Sequence, residues 1–380
     1  WVGLAFADAG QGHKFAQAKL TGTTHAPQKK AAPRKQIDLK KYFSDPTKRQ
    51  ADGSGDVEIS GELRQWHKVT LTLDGPFAHE LDTEPNPFTD YCMTVKFIHS
   101  SGDPVLTVPG YFAADGNAAN SGADSGTKWR AHLSPNKTGT WRYEVNFVAG
   151  KNAALNEHSG VNVHPFDVKT GEFKIKKSNK KEPDMRARGW LEYVGEHYLR
   201  FAGTGEYFLK TGADAPENLL AFADFDGTFK DDGIKDDLVK TWEPHVKDWQ
   251  DGDPTWKNGL GKGMIGAINY LASEEMNVFS FLPMNIDGDD RNVFPYIHYD
   301  ARLNLDVSKL DQWEIVFAHG TQKGMFLHLP RQDTALSGLE KTKHPPVSNR
   351  SMHKRQLNTM LKLLPYEKAS FQQKRPLGLA

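Results

Sequence analysis

The stretch DVSKLDQWEIVFAHGTQKGMFLHL, residues 306–329, holds one helix and one strand. Over Val307–His319, the residues Leu310, Trp313, Ile315, Val316 and Phe317 form an apolar side, and Met325–Leu329 is a short apolar run. Apolar spacing near 3.6 marks an amphipathic helix, and a short bounded apolar run marks a buried strand. The same alternation stands just upstream. Gly259–Met276 carries Leu260, Met264, Ala267, Ile268 and Leu271 at helical spacing, and Val278–Met284 is short and apolar. Strand, helix, strand, helix, strand is the pattern of a parallel sheet or an α/β barrel. Further back, Tyr198–Phe201 and Tyr207–Thr211 read as a hairpin feeding the first of these strands.

Residues 56–177 have a different texture. Trp66–Leu73 and Tyr91–Ile98 alternate, Ser101–Gly102–Asp103–Pro104 breaks the pattern, and Val105–Phe112, Trp129–Leu133, Thr140–Phe147 and Glu172–Lys176 follow. Short, frequent strands without helical periodicity predict a β-sandwich.

Charge adds a third observation. The chain is neutral overall, with 48 Lys/Arg and 48 Asp/Glu, yet residues 1–50 and 331–380 each carry ten basic against three acidic residues. The body between is therefore acidic. Two basic ends on an acidic body argue against a folded nucleic-acid-binding domain, and solvated tails are the plainer reading. The polar stretch 10–55 reads as a flexible arm, and 330–380 as a basic tail. Cys92 is the only cysteine, so an internal disulfide is excluded, and its strand context makes it a structural thiol. Trp1–Ala9 reads either as the end of a signal peptide, with Ala7 and Ala9 at the cleavage site, or as a fragment boundary. No run of about 18 apolar residues is present, so no membrane span is expected.

Four constellations are candidates for chemistry. Asp214, Glu217 and Asn218 follow the strand at 207–211, where a barrel would present them to ligand; the alternative is a helix cap. Ala223–Asp224–Phe225–Asp226–Gly227–Thr228 matches the signature of haloacid-dehalogenase-type phosphatases, with Asp224 as nucleophile and Asp226 as acid/base. It opens into an acidic stretch (Asp231, Asp232, Asp236, Asp237) rather than a long amphipathic helix, which weakens the match. Trp242, Trp249 and Trp256 stand seven apart, as sugar-stacking platforms or as packing residues. Asn285 and Asp287 follow the strand at 278–283; a calcium loop is a weaker reading, since the bidentate glutamate of an EF-hand is missing. No phosphate-binding loop, zinc spacing or nucleophile elbow is present, and no cofactor or metal is expected. His298, His319 and His328 read as structural or surface residues.

Three longer segments carry a resemblance. They are Tyr207–Thr228, His245–Ser280 with Lys247-Asp-Trp-Gln-Asp-Gly-Asp-Pro-Thr-Trp256 and Gly266-Ala-Ile-Asn-Tyr-Leu271, and Asp306–Phe317. Together they resemble bacterial glycoside hydrolase-like proteins that carry an N-terminal domain of unknown function 5060. The resemblance spans roughly residues 60–328. It implies a multidomain β plus α/β chain: an immunoglobulin-like β-sandwich at 56–177, then a partial TIM-barrel (β/α) domain at 186–329. Residues 1–55 would be a signal-peptide remnant and arm. It makes Asp-Phe-Asp-Gly-Thr a barrel-loop feature rather than a phosphatase nucleophile. It implies a secreted or periplasmic protein whose partner is a polysaccharide or oligosaccharide, with Asp214, Glu217, Asn218, Asp226, Trp249, Trp256, Asn285 and Asp287 toward substrate. In such barrels the catalytic carboxylates end strands four and seven, and retaining enzymes hold them about 5–5.5 Å apart. The likeness stops near His328, at strand three, where Pro330–Thr334 and a basic tail follow. The catalytic residues are thus unknown here, and the expectation is a chain truncated after barrel strand three. The competing class is a non-catalytic carbohydrate-binding or structural module.

Overall fold

The computed structural model describes residues 49–155, 160–212, 218–229, 239–286, 292–298 and 300–328. Its first half is antiparallel sheet. In chain order the elements are β1 (Val57–Gly61), β2 (Val69–His79), β3 (Tyr91–His99), β4 (Val105–Pro109), β5 (Tyr111–Phe112), the short helix α1 (Ala118–Ser121), β6 (Ser125–Leu133), β7 (Gly139–Ala149), β8 (Val161–Asn162) and β9 (Thr170–Ile175). One sheet has the order β1-β2-β6-β5. The other runs β4-β3-β7, with β8 and β9 both pairing with the outer side of β7.

Period-two alternation builds the core between these sheets. Met93, Val95 and Phe97 of β3 stand opposite Phe147, Val145 and Tyr143 of β7. They meet Val69, Leu71 and Leu73 of β2 and Trp129, Ala131 and Leu133 of β6 in one buried cluster. A one-residue slip would turn every one of these side chains to water, so burial fixes the register. Each large apolar side chain so buried contributes about 1.5–3 kcal/mol. Trp129 is the hub: Tyr91, Phe112 and Phe147 lie 5.0–5.4 Å from its ring, and its indole N–H donates to the Pro76 carbonyl at 3.0 Å.

The second half is mixed. β10 (Leu191–Glu192) and β11 (Arg200–Phe201) form a small hairpin. Then come a 3₁₀ turn at Glu243–Asp248, α2 (Lys262–Ser273), β12 (Val278–Ser280), α3 (Val307–Gln322) and β13 (Phe326–His328). β12 and β13 pair in parallel across α3, giving one βαβ unit. Phe279 and Leu327 face α2 and α3 in a second core with Trp256, Met264, Ile268, Trp313, Val316 and Phe317. The segment 207–211 differs from expectation. It is extended and tied to Asn277, whose side chain donates to the Leu209 carbonyl and accepts from the Thr211 amide, but it forms no strand ladder.

The sandwich and the βαβ unit belong to one compact body. Val307, the first residue of α3, is buried in the sandwich core. The Glu80 carboxylate, just past β2, accepts the Val307 amide at 3.1 Å, which caps the start of α3 from outside the helix. Gln312 donates to the Ala119 carbonyl at 3.2 Å, and Lys68 of the sandwich is ion-paired with Glu314. So α3 is covered on two sides, which explains why its buried polar residues Ser308, Lys309 and Gln312 lie outside the apolar stripe.

Candidate functional site

In a βαβ sheet the chain leaves each parallel strand at the same end, and ligands bind at those carboxyl ends. Here the last residues of β12 and β13 are register partners, Ser280 opposite His328. Their side chains therefore share the face that Val278 and Phe326 occupy lower down. The Ser280 hydroxyl is buried and lies 2.7 Å from His328 Nδ1, and the Lys210 ammonium lies 3.2 Å from the same nitrogen. A lysine ammonium can only donate, so Nδ1 accepts in that contact and a neutral ring carries its proton on Nε2. Below this polar layer, Phe208 meets Phe326 at 5.5 Å and Phe201 at 5.8 Å. The result is an apolar base carrying a hydroxyl, an imidazole and an ammonium at the strand ends. Such a set can hydrogen-bond the hydroxyls of a polyol. Among the described residues it contains no carboxylate pair for acid/base hydrolysis.

None of these three is among the residues expected toward substrate: Lys210 and Ser280 lie within the segments of resemblance without a role of their own, and His328 reads as structural or surface. The available signal was positional: Ser280 and His328 each end an apolar strand.

Asp214, Glu217 and Asp287 lie outside the described residues, and the other predicted site residues are engaged elsewhere. Asn218 accepts from Lys240 Nζ at 2.6 Å, tying residues 218 and 240 together. Asn285 accepts the Val293 amide at 3.0 Å and donates to Asn292 at 2.8 Å, closing its own loop after β12. The seven-residue tryptophan spacing does not make one face. Trp242 precedes the 3₁₀ turn with φ 51°, and Trp249 follows it. Trp249 is half-buried, with Lys262 Nζ 4.1 Å over its ring. Trp256 corrects the stacking expectation most clearly. It is 1% exposed, stacked on Phe225 at 5.3 Å and 11°, and donates to the Asp224 carbonyl at 2.9 Å. Its ring fills the core.

The Asp-Phe-Asp-Gly-Thr motif is a structural knot, which corrects its phosphatase reading. A nucleophilic aspartate of that class ends a strand of a doubly wound sheet, whereas 219–228 is a turn with one isolated bridge, Phe222 to Lys240. Asp224 accepts the Gly261 amide at 2.9 Å before α2. Asp226 is ion-paired with Lys257, and its amide donates to Gln312 at 2.8 Å. Gly227, at φ +57°, leaves room for Asp306 and Lys309, since a Cβ there would overlap the Asp306 carboxylate. Among the described residues no group of three His, Cys, Asp or Glu side chains is placed to hold a metal ion. No helix among them is long and apolar enough to cross a membrane.

The buried histidines tie elements together. His319 Nε2 bonds to Asn269 Oδ1 at 2.8 Å, and Asn269 donates to Asp253 at 2.6 Å, joining α3, α2 and the 241–256 segment. Burial lowers the His319 pKa to about 4. His132, between Thr70 at 3.0 Å and Tyr111 at 2.9 Å, is lowered by burial to about 3.

Comparison with known proteins adds three findings. The family model of a domain of unknown function (DUF5060) matches residues 62–148, within the sandwich. No curated protein matches the chain. One similar solved structure, from Bacteroides vulgatus ATCC 8482, is described as a "putative glycoside hydrolase". It is 15% identical with a TM-score of 0.40, and the match covers 70% of this chain and 40% of that one. This chain thus spans well under half the length of that structure.

Proposed function

We propose that the chain is the sandwich and barrel-entry portion of a polysaccharide-acting glycoside hydrolase, and that this portion binds glycan without cleaving it. The observation that carries the reading is the Lys210–Ser280–His328 layer at the strand ends of a βαβ unit joined to a sandwich that the DUF5060 model matches. In this reading 207–211, β12 and β13 are the first three barrel strands. The strand order β1-β2-β6-β5 over β4-β3-β7-β9 follows the A-B-E-D over C′-C-F-G layout of immunoglobulin-like sandwiches, which supports that label for the first half. The acid/base and nucleophile belong to later strands. For an algal or cell-wall polysaccharide, which lies outside the cytoplasm, the same reading assigns the chain to the extracellular space or periplasm.

The test uses purified chain 1–380. In native gels cast with β-linked polysaccharides, at least one polymer is expected to retard the chain, with no release of reducing ends. His328→Ala is expected to weaken that retardation about fivefold, the worth of roughly one hydrogen bond of 1 kcal/mol. Robust reducing-sugar release would overturn the non-cleaving assignment. Unretarded migration across the whole panel would overturn glycan binding and favour a purely structural module.

A further inference from the structure

Two buried carboxylates crowd the first turn of α3 where it meets the sandwich. Glu80, 7% exposed, accepts the Val307 amide from the sandwich side. Asp306, also 7% exposed, accepts the Lys309 amide at 2.9 Å and the Ser308 hydroxyl at 3.1 Å from within the helix. The cation beside Asp306 is Lys309, 1% exposed, with Nζ 3.6 Å from Asp306 and 3.1–3.3 Å from the Tyr296 and Phe294 carbonyls. Two other pairs border the cluster, Asp226 with Lys257 on the 218–229 turn and His79 with Asp124 at 3.3 Å on the sandwich, and the Asp226 and Asp124 carboxylates add to the negative field on Asp306 and Glu80. Asp82 and Arg302 stand on the two loops that meet where Asn304 donates to the Glu80 and Asp82 carbonyls. Two carboxylates against one ammonium leave one negative charge in excess, and an uncompensated buried charge is costly. A single proton removes it.

We propose that this seam is a proton-holding latch: Glu80 and Asp306 keep one proton between them, so the sandwich grips α3 more firmly as pH falls toward the ordinary carboxylate range. Burial first, and the neighbouring Asp306 second, push the Glu80 pKa well above its ordinary 4.5. Burial likewise raises Asp306 above 3.8. A carboxyl group whose folded pKa is raised binds its proton more tightly folded than unfolded. Its contribution is complete below the unfolded pKa and is lost as pH rises through the folded one. His132 and His319 work in the opposite direction, because their lowered pKa values make the fold weaken as pH drops below about 6.5. Burial also lowers Lys309. The quantity to follow is therefore the difference between wild type and Glu80→Gln, in which the histidines, the lysine and the His79–Asp124 pair are common. The glutamine carbonyl can still accept from Val307.

Urea midpoints of the full chain are compared from about pH 5 to about pH 8, the window above the ordinary carboxylate pKa. Glu80→Gln is expected to gain on wild type steadily as pH rises. A constant difference across that range would overturn the latch. A second readout needs no variant. Hydrogen exchange in wild type, corrected for intrinsic pH dependence, is expected to lose protection at 303–310 with rising pH before it does so in β3. Parallel loss in both segments would equally overturn it.

Discussion

Lys309→Met is expected to destabilise the chain by about 3–5 kcal/mol at neutral pH, the cost of removing one partner from a buried ionic network. Methionine keeps the length and the apolar stem of the side chain, so the packing against Phe294, whose ring centre lies 4.4 Å from Nζ, changes little. What disappears is the ammonium 3.6 Å from Asp306, together with the donor to the Phe294 and Tyr296 carbonyls. Two carboxylates then remain at the start of α3, and the variant must bind a second proton or open the seam. Urea denaturation at pH 7 measures the loss. Asp306→Asn added to Lys309→Met should recover part of it, because asparagine can still cap α3 through its carbonyl while carrying no charge. Coupling of about 0.5–3 kcal/mol is expected for residues in one such network. A single variant within 1 kcal/mol of wild type would show that Lys309 does not balance these carboxylates.

That network also marks where the sequence stops being legible. The sandwich was readable because its strands alternate with period two: Met93, Val95 and Phe97 point one way, and Cys92, Thr94 and Lys96 the other. The helices were readable for the same kind of reason, and α3 extends three residues beyond the His319 end expected for it. The second buried face of α3 was not readable. It consists of Ser308, Lys309 and Gln312, and polar residues signal solvent unless their partners are known. Gln312 finds its partners at Asp226 and Ala119, 86 and 193 residues away, and Lys309 finds its own at the Phe294 and Tyr296 carbonyls, on a loop with no periodic pattern. The short motif failed in the same manner. Asp224, Asp226 and Gly227 match a nucleophile signature in one dimension, yet each is explained by a contact with Gly261, Lys257 or Asp306 that only the fold supplies. At the strand ends, Ser280 and His328 needed the register of β12 and β13 to become neighbours.

Gly266→Ala reverses a local rule in the opposite direction. Judged by helix propensity alone, alanine inside α2 should stabilise by about 1 kcal/mol. The structure predicts a loss of roughly 1–3 kcal/mol, the usual cost of overpacking. A Cβ on Gly266 would overlap the His245 carbonyl and crowd the Trp249 amide. Both are backbone atoms of the 3₁₀ turn that lies on α2, so no side-chain rotation relieves the overlap. Gly263 meets the Thr241 and Trp242 carbonyls in the same way, which makes the two glycines a paired seat for the 241–249 segment. Displacing that segment would strain the Asn269–Asp253 bond at 2.6 Å and the contact of His245 with Tyr270 at 5.0 Å. Tryptophan fluorescence therefore reads the change directly, since Trp242 and Trp249 flank the turn. The expected result is a lower urea midpoint together with an emission shift in the folded state. A raised midpoint with unchanged emission would mean that propensity governs this position and that the turn does not rest on α2 as described.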